Sequence, residues 1–494
     1  MPRMTRRQML ASTAALSGIT PALTACAQVA PELEGETAAS GFVDGVALAR
    51  KIANGETTSE AAVEAAIARF QVANPKINAA ALTDFGGALE TARLGASGPF
   101  SGVPTFIKDL EATRGMETKY GSQAFRGYIP EEDGATAAKW RAAGMVFLGK
   151  STSPEIGLSA STEPVVTGAT RNPWNLDHIP GGSSGGAAAL TAARVVPFAH
   201  ASDGGGSIRI PASCCGLFGL KPSRGRLGRR TRDQMPVDIS VGHAVTWTVR
   251  DSAALFAVAE TGEFETLGVV SEPLTRRLKI GFAPTPLSGQ ALDPDVRAKT
   301  EAAAALCEEL GHEVVEYTVP YDGKVFTDAF TLYWAAGAAE FAQSAMQFSG
   351  KPLGPDIVEP LTLGLIETYQ SRQAEMPDAV AYLKGFEAQY HAMFEEIDVL
   401  LTPTVCTPPP RIGDFDPTQD ADITFLAVAD YVGFTPPMNV AGAASMSVPL
   451  FQGESGLPIG TMFSGRRGDD GLLLQLAYEL EAAKPWVGRV PDLS

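Results

Sequence analysis

Residues 181–222 read GGSSGGAAALTAARVVPFAHASDGGGSIRIPASCCGLFGLKP, and two features of this stretch interrupt an otherwise regular alternation of strands and helices. The first is Pro180-Gly-Gly-Ser183-Ser184-Gly-Gly186, a serine pair enclosed by glycines and followed by the helix-forming run Ala187–Ala193. The second is Ser202-Asp203-Gly204-Gly205-Gly206-Ser207-Ile208-Arg209. Successive glycines ahead of one serine let backbone N–H groups converge where a Cβ would obstruct them. An oxyanion hole beside a nucleophile requires that arrangement. Taken alone, the serine pair would equally suit an anion-binding turn at a helix start.

A third interruption lies upstream in Gly102-Val-Pro-Thr-Phe-Ile-Lys108-Asp109, which ends an apolar run on a lysine. A serine nucleophile needs a base, and a lysine serves only when neutral. Burial disfavours the ammonium and so makes a neutral amine accessible. A second serine between them can relay the proton, because a hydroxyl both donates and accepts. Lys108, Ser183 and Ser207 therefore suggest a Ser–Ser–Lys constellation, a variant of nucleophile, base and orienter. The same glycines also satisfy G-x-S-x-G, the elbow of a Ser–His–Asp hydrolase. That alternative needs a strand just before the serine, where Asn172–Pro180 reads as a loop. It also needs a later histidine, and His200, His243, His312 and His391 stand in no recognisable context.

Outward from these motifs the periodicity is α/β. Thr57-Thr-Ser-Glu60 has the form of a capping box, with Ala62, Val63, Ala66, Ile67 and Phe70 at helical spacing behind it. Asp133 is expected to start a helix that Gly144 ends, with a short buried strand at Val146–Gly149. A strand at Leu278–Phe282 precedes a helix opened by Asp293-Pro294 and stopped at Gly311, and His312 begins the next strand. This rhythm predicts an α/β fold: one large domain over 41–494, a mixed twisted β-sheet covered by helices on both faces, with a helical insertion near 320–395.

Composition narrows the function. The 494 residues are 45% hydrophobic and 19% charged, which excludes a disordered, collagen-like or coiled-coil chain. The formal charge is −17 and no consecutive Lys/Arg run in the body exceeds a pair, so nucleic acid is not an expected partner. The first 25 residues read as an export signal: Thr5-Arg6-Arg7-Gln8-Met9-Leu10, then an apolar, small-residue run. The paired arginines are similar to a twin-arginine signal. Leu23-Thr24-Ala25-Cys26 resembles a lipobox that would lipidate Cys26, whereas Ala25-Cys26-Ala27 suits simple cleavage, and both readings stand. Residues 26–40 are expected to form a polar flexible segment. No other apolar run reaches the roughly 20 residues of a membrane span. Cys214, Cys215, Cys307 and Cys406 have no zinc-like spacing and read as small buried hydrophobes.

On these motifs the chain resembles the amidase signature family. The step of 24 residues from Ser183 to Ser207 matches, as does the lysine in G-V-P-x-x-x-K-D. Arg171-Asn-Pro-Trp174, Asp398–Thr404, Asn439 with Gly442, and Gly456–Gly460 extend the likeness over nearly the whole body. Within the family it is most similar to the 6-aminohexanoate cyclic dimer hydrolase type, through Phe100-Ser-Gly-Val-Pro, Gly168–Leu176 and Pro485-Trp-Val.

The resemblance implies an amidohydrolase with Ser207 as nucleophile, Lys108 as base, and Ser183 as a relay joined to Gly182 by a cis peptide bond. Backbone N–H groups of Gly204, Gly205, Gly206 and Ser207 would receive the oxyanion, with Ser184, Asp203 and Arg209 in support. The route needs neither metal nor cofactor, and a dimer is a further family expectation. Two positions depart from the pattern: Gly204 replaces an aliphatic or other small residue, and Ser202 a threonine.

Esters and carbamates follow the same acyl-enzyme route. A binding-only lipoprotein on an inactive scaffold is the rival from another class. An export signal argues against transamidation of charged tRNA. Tyr333 and Trp334, in Phe326–Trp334, are expected to line an apolar acyl pocket.

Overall fold

The structure is a computed structural model that describes residues 43–228 and 236–493. The leader at 1–25, the lipobox cysteine Cys26 and the segment 26–40 lie outside the described residues. Among the described residues eleven strands form two sheets: β1 Ala80–Thr83, β2 Pro104–Lys108, β3 Val146–Ser151, β4 Phe198–Asp203, β5 Phe218–Lys221, β6 Val241–Thr246, β7 Lys279–Phe282, β8 Glu313–Glu316, β9 Val399–Pro403, β10 Ser445–Gln452 and β11 Pro458–Ser464. The larger sheet has the order β4-β6-β5-β10-β11-β9-β7-β8, and the smaller β1-β3-β2. Both are mixed: β7 runs parallel to β8 and β9, and β2 parallel to β3, while the other pairs are antiparallel.

Strand alternation sorts the core onto two faces. β9 sends Val399 and Leu401 to one cluster, with Ile280, Phe282 and Phe463, under helices Val249–Ala259, Pro294–Glu309 and Asp470–Ala483. Its Leu400 points the other way with Met462, against helices Gly323–Ser349 and Met376–Ala392. The expected insertion is therefore real: the helices Gly323–Ser349, Pro360–Arg372 and Met376–Ala392 separate β8 from β9. The helix Pro294–Glu309 starts as anticipated, with the Asp293 carboxylate accepting from Asp295 N and Val296 N.

Two helix starts differ from the expectation. Thr58, not Thr57, caps the helix Ser59–Ile77, accepting from Ala61 N at 3.1 Å. Asp133 does not cap the helix Ala135–Ala142; its carboxylate pairs with Arg141, and Gly134 holds the cap position without a side-chain bond.

The helix Gly185–Ala192 is buried along its whole length. Its sequence, GGAAALTA, is made mostly of small side chains. A Cβ at Gly186 would lie 2.3 Å from Thr152 Oγ1, so glycine there sets how closely the helix can approach its neighbours.

Candidate active site

The two sheets meet where β2 runs beside β4. Thr105 Oγ1 donates to Phe198 O at 3.0 Å, and Lys108 N to His200 Nδ1 at 3.3 Å. Lys108 closes β2 and Asp203 closes β4, so both strands deliver their last residue to the same edge. Lys108 is fully buried. Its Nζ donates to Ser183 Oγ at 2.7 Å, Ser184 Oγ at 2.8 Å, Ser202 Oγ at 3.2 Å and Ser202 O at 3.3 Å. All four acceptors are neutral oxygens. Ser184 in turn donates to Ser207 O at 2.6 Å, tying the serine pair to the glycine loop. The Gly182–Ser183 peptide bond is cis.

Asp203 organises that loop. Its carboxylate accepts from Gly206 N at 2.7 Å, Ile208 N at 3.1 Å and Asn439 Nδ2 at 2.8 Å. Arg209 completes the set with two 3.0 Å bonds from Nε and Nη2, a fork geometry in which both partners are fully buried. Burial works to raise the carboxyl's pKa, but the Arg209 guanidinium outweighs it and holds the group well below the usual carboxylate range. The bond to Asp203 turns Gly206 N–H away from the oxyanion role expected of it. Among the described residues, the N–H groups of Gly204, Gly205 and Ser207 have no acceptor. Thr435 Oγ1 holds the loop from the other side through Gly205 O.

Two compartments open on Ser207. The smaller, about 70 Å³, includes Ser183, Ser202, Gly204, Asp238 and Tyr333 in its wall. The larger, about 820 Å³, includes Gly205, Phe330, Leu365 and Phe425. Trp334 lines both. Its indole stacks on Phe330 at 5.6 Å between centroids and donates to Leu158 O at 3.3 Å. Trp334 Cζ3 would be 3.6 Å from a Cβ at Gly204 and 3.7 Å from one at Gly205. Tyr333 is more committed than the sequence implied, because its hydroxyl accepts from Val237 N and donates to Val237 O.

The wall shared by both compartments is Gly157-Leu158. It follows Ile156, a β-branched residue held at φ 42°, a conformation such residues rarely adopt. Behind it Glu155 accepts from Ser122 Oγ, from Thr362 Oγ1 and, at 2.7 Å, from Glu359 N. Glu359 lies beside it, accepting from Val165 N at 2.8 Å. Burial first, then the neighbouring Glu155 charge, push the Glu359 carboxyl up to about 8.

The amidase family profile matches residues 61–474. A Mycobacterium tuberculosis protein named as the amidase AmiC is 41% identical over 455 residues, covering 91% of this chain and 96% of its own. The chain belongs to the amidase signature family. Like other members, it is a hydrolase of carbon–nitrogen amide bonds. The 6-aminohexanoate-cyclic-dimer hydrolase of Paenarthrobacter ureafaciens is 34% identical over 479 residues, covering 91% and 96% of the two chains. A substrate complex of a 6-aminohexanoate cyclic dimer hydrolase superposes with a TM-score of 0.83 at 32% identity, covering 91% of this chain and 99% of that one. A bacterial aryl acylamidase does so at 0.81 and 26%, with the same coverage.

The alternative serine–histidine reading finds no support in the geometry of this amidase. Residues 172–180 form turns and isolated bridges before the serine pair, not a strand. None of the five histidines lines either compartment. His200 Nδ1 accepts from Lys108 N, and burial pushes His243 down to about 3. Sequence reasoning passed over the roles of Ser202, Thr435 and Asn439. Asn439 and its place in the family pattern were visible, but its bonds to Asp203 and Arg209 were not.

Proposed function

We propose that this amidase cleaves non-peptide amides through an acyl-enzyme on Ser207. The reading rests above all on the 2.7 Å contact between Lys108 Nζ and Ser183 Oγ, in a compartment that Ser207 shares. Lys108 in its neutral form takes the Ser183 proton as Ser183 takes that of Ser207. Ser207 Oγ then bonds the substrate carbonyl carbon. The charge that develops on the carbonyl oxygen is received by N–H groups of Gly204, Gly205 and Ser207. Ser183 returns a proton to the leaving nitrogen, the C–N bond breaks, and water clears the ester by the reverse relay. Asp203, Arg209 and Asn439 hold the loop in register throughout.

The large apolar compartment favours an aryl or alkyl acyl group, with Trp334 as its inner wall. A screen of aryl and aliphatic amides, nitroanilides, carbamates and esters against a Ser207→Ala control tests the whole scheme. Amine release that vanishes in the control is expected; release that persists overturns it. Faster turnover of esters or carbamates than of every amide would reassign the preferred substrate but not the triad.

Export is part of the same proposal, carried by Arg6-Arg7 and the small-residue run to Cys26. Replacing both arginines with lysine is expected to keep a reporter fusion inside the cell. Mass spectrometry of the processed N-terminus then separates a lipidated Cys26 from simple cleavage.

A further inference from the structure

Among the described residues, Asp238 is the one charged side chain lining the small compartment, and its position is fixed from both flanks. On one side the Tyr333 hydroxyl bridges the N–H and C=O of Val237. On the other, Asn439 Nδ2 donates to Ile239 O at 3.0 Å. The same Asn439 bonds Asp203 and Arg209, the pair that holds the glycine loop. Asp238 is therefore held in register with Ser207 through a single buried amide. Ser240 N donates to its Oδ1 at 3.2 Å, and Oδ2 makes no hydrogen bond among the described residues. Arg224 feels this carboxylate, but that guanidinium is already paired with Glu387 and bonded to Val440 O.

A half-buried carboxylate in a compartment of about 70 Å³, with room for only a handful of non-hydrogen atoms, is a site for a small cation or a strong N–H donor. Ser183 lines this compartment and not the larger one. As the group that protonates the leaving nitrogen, it marks the small compartment as the leaving-group side. We infer that Asp238 selects amides whose leaving amine carries a second, protonated amino group on a short chain. The inference rests on the relay role proposed for Ser183. It adds a substrate class: the mono-amide of a short diamine, its acyl group in the large apolar compartment and its ammonium on Asp238.

The test uses binding, so that it does not depend on turnover. Aminoethyl and propyl amides of the same aryl acid are titrated calorimetrically into full-length Ser207→Ala protein. The aminoethyl amide is expected to bind at least about tenfold tighter, and Asp238→Asn in the same background to bring the ratio near one. Equal affinities, no binding of either compound, or a ratio that survives Asp238→Asn overturns the inference. Hydrolysis of either amide by the Ser207→Ala protein would instead overturn the acyl-enzyme reading, and the two failures are told apart by amine release in the cell.

Discussion

Lys108 Nζ and Ser183 Oγ face each other at 2.7 Å, both buried, at the junction of the two sheets. Nζ also contacts Ser184 and Ser202. Neither of those lies between the lysine and Ser207 in the proposed relay. Lys108→Ala is expected to lower kcat for an anilide by on the order of 10²–10⁴-fold with the fold retained. A loss under tenfold, with circular dichroism unchanged, would remove Lys108 as the base.

Asp203→Asn leaves the Arg209 guanidinium buried without its carboxylate. Removing one partner of a buried ion pair costs about 3–5 kcal/mol. Urea unfolding should show a loss of that size, and activity should fall with it, since Gly206 N and Ile208 N lose a charged acceptor. An unchanged midpoint would mean that the pair contributes nothing net.

The three glycines before Ser207 are not equivalent. Gly206 has φ +136°, and a Cβ there would lie 2.3 Å from Thr435 Oγ1 and 2.6 Å from Ile210 Cδ1. At Gly204 the nearest atom is Ser240 Oγ at 3.2 Å. Gly206→Ala is expected to displace the loop and with it the neighbouring Gly205 and Ser207 N–H groups, reducing kcat at least about hundredfold, the scale of losing an oxyanion donor. Gly204→Ala should be far milder; steady-state kinetics on one anilide compares them directly.

Glu359 carries a pH dependence. Its folded carboxyl is raised to about 8 from an unfolded value of 4.5, so the folded state binds the proton more tightly. The stability this contributes is present below about 4.5 and is lost as pH rises through about 8. Glu359→Gln, which keeps an acceptor for Val165 N, should match wild type near pH 5 and exceed it near pH 9. Denaturation midpoints at the two pH values decide it, and a larger advantage at the acid end would reverse the sign.

Trp334→Ala removes the indole that stacks on Phe330 and lines both compartments. A fall of about tenfold in kcat/KM is expected for aryl acyl amides, with a smaller change for alkyl ones. Equal kcat/KM across both series would remove Trp334 from the substrate wall.

What was legible in the sequence was local. Ser183, Ser207 and the glycines announce themselves because each serine directly follows a residue with no side chain, Gly182 and Gly206. The helix Pro294–Glu309 was legible because Asp293, Pro294 and Gly311 act within a turn of its ends. The errors were local competitions: Thr57 and Thr58 are both competent caps, and Asp133 found Arg141 eight residues on. Illegible were the contacts formed only by folding. Glu155 and Glu359 are 204 residues apart, and nothing in either segment marks the other. Gly206 likewise has the sequence context of an oxyanion donor, and only the fold binds its N–H to Asp203.

The helices Gly323–Ser349 and Pro360–Arg372 supply Phe330, Trp334 and Leu365 to the large compartment, while Lys108, Ser183 and Ser207 lie on the other side of β8 in the chain. Two separate blocks, these helices and the stretch 421–436 beyond β9, thus line much of the large compartment, while Lys108, Ser183 and Ser207 lie in an earlier part of the chain. Gene recombination that exchanged both blocks between relatives would replace much of the compartment's wall together, and a mutational library confined to them could be selected without touching Lys108, Ser183 or Ser207.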